Sequence, residues 1–395
     1  MRQLKSAAIV MLLACTAAYG QLQTNESQQK LEFPHAGISL AVPADFHRRQ
    51  LVEPFDVLSS AVVREGVTEM SISLSAFPVG QEETPESFAE SKLQELQGHL
   101  AMRRFEVLKT AEMPVAGATG HAVRMSYTFG GIETTAAQLY FIRELSDVPV
   151  RICYLLTIEE RGKESRLLPV LGEVVRTLKF VPLRRPGELP VPELGEPVER
   201  RELGFSVRPP AGWFSDNTPR GVSMGQMDYL LGGVAVPTVH VMVGRAGIDE
   251  TPEDFVNRHL DALREDAESR NVKVEVLSNG TATLAGREGR QFVVRHSTGT
   301  PAESASQESR PAIIVQRTIF AEPEGDLSVS AEGRPLTYTL ACIYNGEEPG
   351  RAVEILEKVA QGFTLVSGSD DDPTTSTAPA ADRAGEAAQV SGDQQ

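Results

Sequence analysis

Residues 83–96 read ETPESFAESKLQEL, and residues 250–263 read ETPEDFVNRHLDAL. The two stretches lie 167 residues apart (250 − 83), and the same shift lays residues 43–46, PADF, on residues 210–213, PAGW. One register kept over such a length is typical of a duplicated domain. The sequence therefore predicts two copies of one fold in tandem.

The later half of each copy follows the same order with small slips in register. A shift of 169 lays the AGxxG motif at 116–120 on its counterpart at 285–289. The two copies end at a shift of 185, so the second copy carries 16 additional residues (185 − 169). Their composition is typical of loops, and we place them at 299–310 and around 322–335.

The duplicated stretch has the features of a helix that begins at the same residue in both copies. Thr84 and Thr251 are predicted N-caps, and Pro85 and Pro252 take the first helical position, where a missing N–H costs nothing. The apolar residues that follow recur at helical spacing and predict one buried stripe on each helix.

Strand patterns surround this helix. Apolar and polar residues alternate strictly at 70–76, which predicts a strand with one buried face. Further strands are expected on both sides of the helix, and an apolar helix closes each copy. The predicted fold class is α+β, with two tandem domains at 31–182 and 198–366, each an antiparallel β-sheet packed with α-helices.

The segment 1–20 has the pattern of an export signal, with basic residues before a ten-residue apolar core. Small residues before the junction favour cleavage between Gly20 and Gln21. The alternative is lipidation at Cys15, because residues 12–15, LLAC, resemble a lipoprotein box. The remaining chain holds no stretch apolar enough for a transmembrane helix, so we expect an exported, periplasmic or extracytoplasmic protein, or one with a lipid anchor.

Three further segments have compositions unlike a folded core. Residues 21–30 are polar and predict a flexible arm. The linker at 183–197 is proline-rich and is expected to be extended, so that it spaces the two domains. Residues 367–395 are expected to form a disordered acidic tail. Because so few contacts should cross the linker, each domain is expected to fold alone.

Charge and cysteine content narrow the classes of partner. The chain of 395 residues has a formal net charge of −16, which disfavours nucleic acid. Cys153 and Cys342 lie in strand-like runs, and either a disulfide or two buried free thiols fits them. Cysteine and histidine spacing suggests no metal site, and no motif indicates a cofactor.

The order of elements resembles the PsbP-like superfamily, which includes bacterial exported proteins of the DcrB and LpqN type. The residues that carry the resemblance are 41–46 and 208–213, the Thr-Pro-Glu helix starts, the turn at 284–287 and the closing segment at 178–180. The resemblance implies the fold of each copy. It also implies a binding or assembly role rather than catalysis, and it transfers no ligand residue.

Two positions are candidate functional residues. Residues 221–225, GVSMG, match the G-x-S-x-G pattern of a serine nucleophile centred on Ser223, but the turn-like residues before it do not fit a nucleophile elbow. Trp213 is the only tryptophan, and it is either a core residue or a contact for a partner.

The sequence therefore predicts a non-enzymatic binding or assembly protein of the bacterial cell envelope with an unknown protein or envelope component as partner. The alternatives are a serine hydrolase using Ser223 and a structural envelope protein without a discrete ligand. Because residues 198–366 carry Trp213 and the longer loop at 299–310, we expect them to hold the partner contact.

Overall fold

The computed structural model describes residues 28–99, 102–145, 150–162, 166–269, 272–298, 311–322, 334–346 and 348–366. Gly20, Gln21 and Cys15 lie outside these residues, as do the tail at 367–395 and the loop at 299–310. The predictions made for them stay predictions.

The first repeat contains a small three-stranded sheet and a seven-stranded sheet. The small sheet has the order β1-β2-β10, with β1 (Gln28–Phe33), β2 (Ile38–Pro43) and β10 (Lys179–Phe180). The large sheet has the order β3-β4-β5-β9-β8-β7-β6, and every pair is antiparallel. Its strands are β3 (His47–Arg48), β4 (Asp56–Arg64), β5 (Val67–Val79), β6 (Met102–Val115), β7 (Ala118–Phe129), β8 (Ile132–Glu144) and β9 (Arg151–Arg161).

The second repeat has the same two sheets in the same order. The small sheet is β11-β12-β20, with β11 (Val198–Arg200), β12 (Phe205–Val207) and β20 (Thr364–Leu365). The large sheet is β13-β14-β15-β19-β18-β17-β16. Its strands are β13 (Phe214–Thr218), β14 (Gly221–Asp228), β15 (Val234–Arg245), β16 (Val272–Leu284), β17 (Arg287–Thr298), β18 (Ala312–Ala321) and β19 (Leu336–Asn345). Two tandem α+β domains are therefore confirmed.

Two helices pack on each large sheet. They are α1 (Pro85–Gly98) and α2 (Leu167–Thr177) in the first repeat, and α3 (Pro252–Ser269) and α4 (Pro349–Gln361) in the second. Thr84 accepts a hydrogen bond from Ser87 N at 3.1 Å, and Thr251 accepts one from Asp254 N at 3.2 Å. The predicted threonine caps are therefore both present, and each satisfies a backbone donor that the first helical turn leaves free.

The two cores repeat one another residue by residue. The closing helices bury Leu167, Val170 and Val174 in the first repeat and, at a shift of 185, Ala352, Ile355 and Val359 in the second. A buried tyrosine ties the large sheet to the loop before the small sheet's central strand: Tyr154 donates to Ala36 O at 2.6 Å, and its counterpart Tyr338 donates to Leu203 O at 3.1 Å. The duplication thus preserved hydrogen bonds as well as the apolar pattern.

The AGxxG motifs are tight turns followed by a close approach of two strands. Ala116 and Gly117 both have positive φ, as do Ala285 and Gly286, so the chain reverses in two residues. A Cβ on Gly289 would lie 2.1 Å from Thr318 O, so only glycine fits against the neighbouring strand there. Both motifs are therefore hairpin turns between neighbouring strands.

Two segments differ from their expected character. Strand β1 begins at Gln28, which pairs with Pro43, so the last three residues assigned to the arm are part of a sheet. The proline-rich linker lies on the second repeat: Arg351 donates to Gly187 O at 3.1 Å, and Lys358 pairs with Glu193 at 2.7 Å. Proline has no N–H to pair with a backbone carbonyl, so carbonyls of the proline-rich linker need other donors. The Gly187 carbonyl accepts from a side chain of α4 instead.

The repeats also contact each other directly. The large sheets stay separate and are joined by one isolated bridge, Leu51 to Phe214, with Ser215 N donating to Leu51 O at 2.9 Å. Tyr229, in the β14–β15 connection, is 1% exposed and donates to Ala76 O in β5 at 3.0 Å. The composition of the linker predicted few contacts between the two repeats, and that prediction is wrong. The β14–β15 connection carries Tyr229, whose side chain is long enough to enter the core of the first repeat.

Candidate functional site

A row of hydrogen-bonding side chains crosses the large sheet of the second repeat on the face that carries α3. Ser223, His240, Ala341 and Gln316 are consecutive partners across β14, β15, β19 and β18, so their side chains share this face. Helix α3 covers only the far part of the sheet, through the packing of Val256 and Leu260 on β17. We call Ser223, His240, Gln316 and His259 the polar row.

Each half of the polar row is held by one hydrogen bond. Ser223 Oγ lies 2.9 Å from His240 Nδ1, because the two residues are directly opposite in the antiparallel register. Gln316 Nε2 lies 2.8 Å from His259 Nδ1 on α3. Thr318, two residues along β18, shares a 2.9 Å hydrogen bond with Thr339 and completes the buried end of this face.

Burial favours the neutral form of both imidazoles. It lowers the pKa of His240, and it lowers the pKa of His259 together with the nearby positive charge of Arg258. A neutral imidazole offers one donor and one acceptor, so Ser223, His240, Gln316 and His259 together present neutral groups of both kinds. Such a surface suits the recognition of a polar, uncharged or peptide-like group.

The first repeat keeps part of this row at the matching positions and changes the rest. The counterparts of Ser223 and His240 are Ser59 and Ser73, which face each other in the β4–β5 register. Beside them Phe55, Phe77, Phe88 and Tyr140 form a chain of ring contacts, with Lys92, the counterpart of His259, over two of the rings. Gln138 takes the place of Gln316 in the register of the first repeat, so the serine and the glutamine occur in both repeats, and only the two histidines are particular to the second.

The Ser223–His240 pair lacks the surroundings of a nucleophile. Ser223 lies in the middle of β14, and both neighbouring strands pair with that strand, so no turn exposes the hydroxyl as a nucleophile elbow would. Among the described residues no carboxylate contacts His240. A Cβ on Gly221 would lie 1.7 Å from Val241 O, so close strand packing accounts for one glycine of the GxSxG match.

The structure places the other candidate residues in the cores. Trp213 is 2% exposed and packs in the core of the second repeat, while its carbonyl accepts a 2.6 Å hydrogen bond from Gln50 of the first repeat. Its side chain is thus inaccessible, so it offers no surface for a partner. Cys153 and Cys342 are buried free thiols in separate repeats, and burial raises the pKa of each to about 12.

Metal sites and membrane-spanning helices are both missing from the part of the chain that the structure describes. No three histidine, cysteine, aspartate or glutamate side chains of this part cluster as ligands for a metal ion. Its helices are too short or too polar to span a bilayer.

The sequence did not single out the polar row. Only the glycines on either side of Ser223 make it part of a motif, and His240 and Gln316 belong to none. The duplication itself held the signal. When residues 59–73 are aligned with residues 223–240, Ser59 matches Ser223, and Ser73 of the first repeat is a histidine, His240, in the second. The 167-residue shift aligns the strand of His240 with that of Ser73, but it does not align Ser223 with Ser59. The β14–β15 connection is longer than the β4–β5 turn, so the contact between Ser223 and His240 cannot be read from that shift.

Comparison with known proteins yields matches among solved structures only. No family model and no curated protein matches the chain. A Bacteroides thetaiotaomicron protein matches at 17% identity and a TM-score of 0.27 over 44% of this chain, and the match spans about half, 54%, of that protein.

Two further matches cover most of the matched protein and less than half of this chain. Cyanobacterial PsbP (CyanoP) from Synechocystis matches at 13% identity over 47% of this chain and 99% of its own, with a TM-score of 0.30. LpqN of Mycobacterium tuberculosis, involved in cell envelope biogenesis, matches at 15% identity over 41% of this chain and 83% of its own, with a TM-score of 0.26.

Proposed function

We propose that this chain is an exported, non-enzymatic binding or assembly protein of the cell envelope, and that the second repeat carries its partner contact. The observation that supports the proposal most is the pair of half-buried histidines in the polar row, His240 and His259, which have Ser73 and Lys92 as their counterparts in the first repeat. Cores that stayed alike while one face changed its chemistry are typical of a duplicated domain in which one copy took on recognition.

The export signal at 1–20 supports the location outside the cytoplasm. Sequencing the N-terminus of the mature protein tests it: a start at Gln21 indicates a periplasmic or extracytoplasmic form, and an acylated Cys15 indicates a lipid-anchored form. An intact Met1 in the native host contradicts both.

The contact is tested by capture from native envelopes with the full chain as bait. We expect Ser223→Ala combined with His240→Ala to reduce capture of the partner at least tenfold, because both remove hydrogen-bonding groups from the polar row. The matched control is Ser59→Ala with Ser73→Ala, which changes the equivalent positions of the first repeat. Equal losses from the two pairs contradict the assignment of the contact to the second repeat.

The serine hydrolase alternative is tested separately. A fluorophosphonate probe labels activated serine nucleophiles, and we expect no labelling of Ser223, since its imidazole partner has no carboxylate contact among the described residues. Labelling that disappears in Ser223→Ala establishes the hydrolase instead. A protein that captures no partner and shows no labelling fits the structural envelope alternative.

A further inference from the structure

A cavity of about 560 Å³ lies at the end of the first repeat's large sheet where β7 begins and β8 ends. Residues from α1, the β6–β7 turn, the end of β8, the start of β9 and β10 line it. A cavity of this volume has room for a small organic molecule. We call it the first-repeat cavity.

The first-repeat cavity exists because neighbouring strands end at different heights. The β7–β8 register ends at Gly120, whereas β8 goes on pairing with β9 as far as Glu144. The end of β8 therefore projects beyond the β6–β7 turn. Pro85 of α1 lines the cavity from one face of the sheet, and Phe180 of the small sheet lines it from the other, so the cavity is continuous around the end of β7.

Arg143 brings a positive charge to the cavity without a counter-charge. Its Nη1 donates to the backbone carbonyls of Gly37 and Val181, the latter at 2.8 Å, and its guanidinium lies 5.0 Å from the centre of the Phe180 ring. Among the residues that the structure describes, no carboxylate pairs with Arg143. A half-buried cation without a counter-charge is costly, so an anion in the cavity gains a favourable interaction there.

Arg151 brings a second positive charge to the same cavity. Its Nη1 donates to the carbonyls of Gly80 and Glu83 at 3.0 and 2.9 Å, just before the start of α1. Its carboxylate partner is Glu144, which lies 3.6 Å away and is 80% exposed, so solvent screens this ion pair. The charged lining thus consists of two arginines and one carboxylate at the rim.

The second repeat shows that the fold does not need these two charges. In the strand registers Ala321 takes the place of Arg143, and Pro335 takes the place of Arg151. The second repeat nevertheless forms the same sheets in the same order. A requirement of the fold therefore does not explain the two arginines, whereas a ligand of the first repeat does.

We propose that the first-repeat cavity binds a small organic acid. Its carboxylate lies on the guanidinium of Arg143, whose planar fork of N–H donors matches a carboxylate, and Arg151 adds positive charge from the neighbouring strand. Its apolar body packs on Phe180 and Ala118, which line the cavity beside Arg143. Glu144 at the rim and the net charge of −16 disfavour a doubly charged phosphate. This site is independent of the polar row, which lies in the other repeat.

The test is saturation-transfer NMR on the full chain with hexanoate and benzoate as probes. Hexanamide and benzamide are the neutral probes of matching shape. We expect both acids, and neither amide, to receive saturation from the protein. Arg143→Gln should lower the signal of the acids at least fivefold, because glutamine keeps a donor for the carbonyls and loses the charge. The matched control is Arg176→Gln, which changes an exposed arginine of α2 that also donates to a carbonyl, and it should leave the signal unchanged.

A second variant tests the cavity without removing a charge. Ala118→Phe fills the space beside Arg143 and should abolish the signal of both acids, and it decides alone if Arg143→Gln does not fold. No signal from either acid overturns the proposal, as do equal signals from acids and amides or from the variants and the unchanged chain. Displacement of hexanoate by an equal concentration of inorganic phosphate assigns the cavity to a phosphate-bearing ligand and overturns the carboxylate. Capture of the envelope partner tests the polar row by itself.

Discussion

The two repeats share one fold but depend on each other unequally. The core of the first repeat includes Phe214, Met227 and Tyr229 from the second, whereas the core of the second repeat contains no residue of the first. The second repeat therefore supplies part of the first repeat's core, whereas its own core uses only its own residues. The difference arises from the β14–β15 connection, which is longer than the β4–β5 turn and projects an aromatic side chain.

The two helix-bearing faces differ as well. The face of the first repeat holds a chain of ring contacts with Lys92 beside it, and the face of the second holds the polar row with its two histidines. On the opposite face the first repeat has Leu139 and Gly172, and the second has Arg317 and Glu357 at the same positions, joined by an ion pair. Both positions differ together between the two repeats, so neither core contains a buried charge without its counter-charge.

The largest expected effect comes from removing the side chain that joins the cores. Tyr229→Ala leaves a cavity in the first repeat and should lower its free energy of unfolding by about 3–5 kcal/mol. Trp213, the only tryptophan, reports on the second repeat, so the fluorescence transition should stay while the circular dichroism transition shifts to lower denaturant.

The conservative change separates packing from hydrogen bonding. Tyr229→Phe keeps the ring and loses only the hydrogen bond to Ala76 O, which should lower the free energy of unfolding by about 1–2 kcal/mol.

Because the first repeat needs this side chain, residues 1–188 expressed alone should unfold more easily than residues 189–395. Equal stability of the two halves contradicts the unequal dependence of the repeats.

Acid should weaken the first repeat selectively. Burial lowers the pKa of His35 from 6.5 to about 4, so the unfolded chain binds a proton in this range that the folded chain does not. Stability is fully present above pH 6.5 and falls as the pH drops towards 4, by up to about 3 kcal/mol.

The counterpart of His35 in the second repeat is Glu202, which is exposed. Denaturation at pH 7 and pH 4.5 should therefore move the first transition more than the transition reported by Trp213, and His35→Asn should remove much of the difference. An unchanged pH dependence in His35→Asn shows that other groups govern it.

The ion pair of the second repeat gives a smaller effect. Glu357→Gln leaves Arg317, whose side chain is 6% exposed, with Gln291 and the Thr283 carbonyl as partners but without its counter-charge. We expect a loss of about 2 kcal/mol in thermal or chemical denaturation, below the range for fully buried pairs because Glu357 is half-exposed.

The double change Arg317→Leu with Glu357→Ala approaches the arrangement of the first repeat. It should recover most of the stability, because an apolar pair of similar volume can replace a buried ion pair. A double variant as unstable as Glu357→Gln shows that the surrounding core is fitted to arginine.

The smallest effect should be the same in both repeats. Thr84→Ala and Thr251→Ala each remove the hydroxyl that caps a duplicated helix, at a cost of about 1 kcal/mol apiece. Paired denaturation curves that differ by much more than this indicate that one helix is held chiefly by its cap and the other by its packing.

The sequence by itself determined the fold class, the repeat and the helix starts. Thr84, Pro85 and their counterparts act within one turn of helix, and the AGxxG turns act within a hairpin, so local chemistry is sufficient for them. The alternating strands gave the buried face of each sheet, although β6 and β16 extend well beyond the residues whose alternation was clear.

Only the tertiary structure decided which distant residues meet. Ser223 contacts His240 across a register that a longer connection shifts, Tyr229 enters the first core and donates to Ala76 O, 153 positions earlier, and the linker lies on α4. Such contacts depend on strand order and on the docking of one repeat on the other, and no local pattern in the chain records either of these.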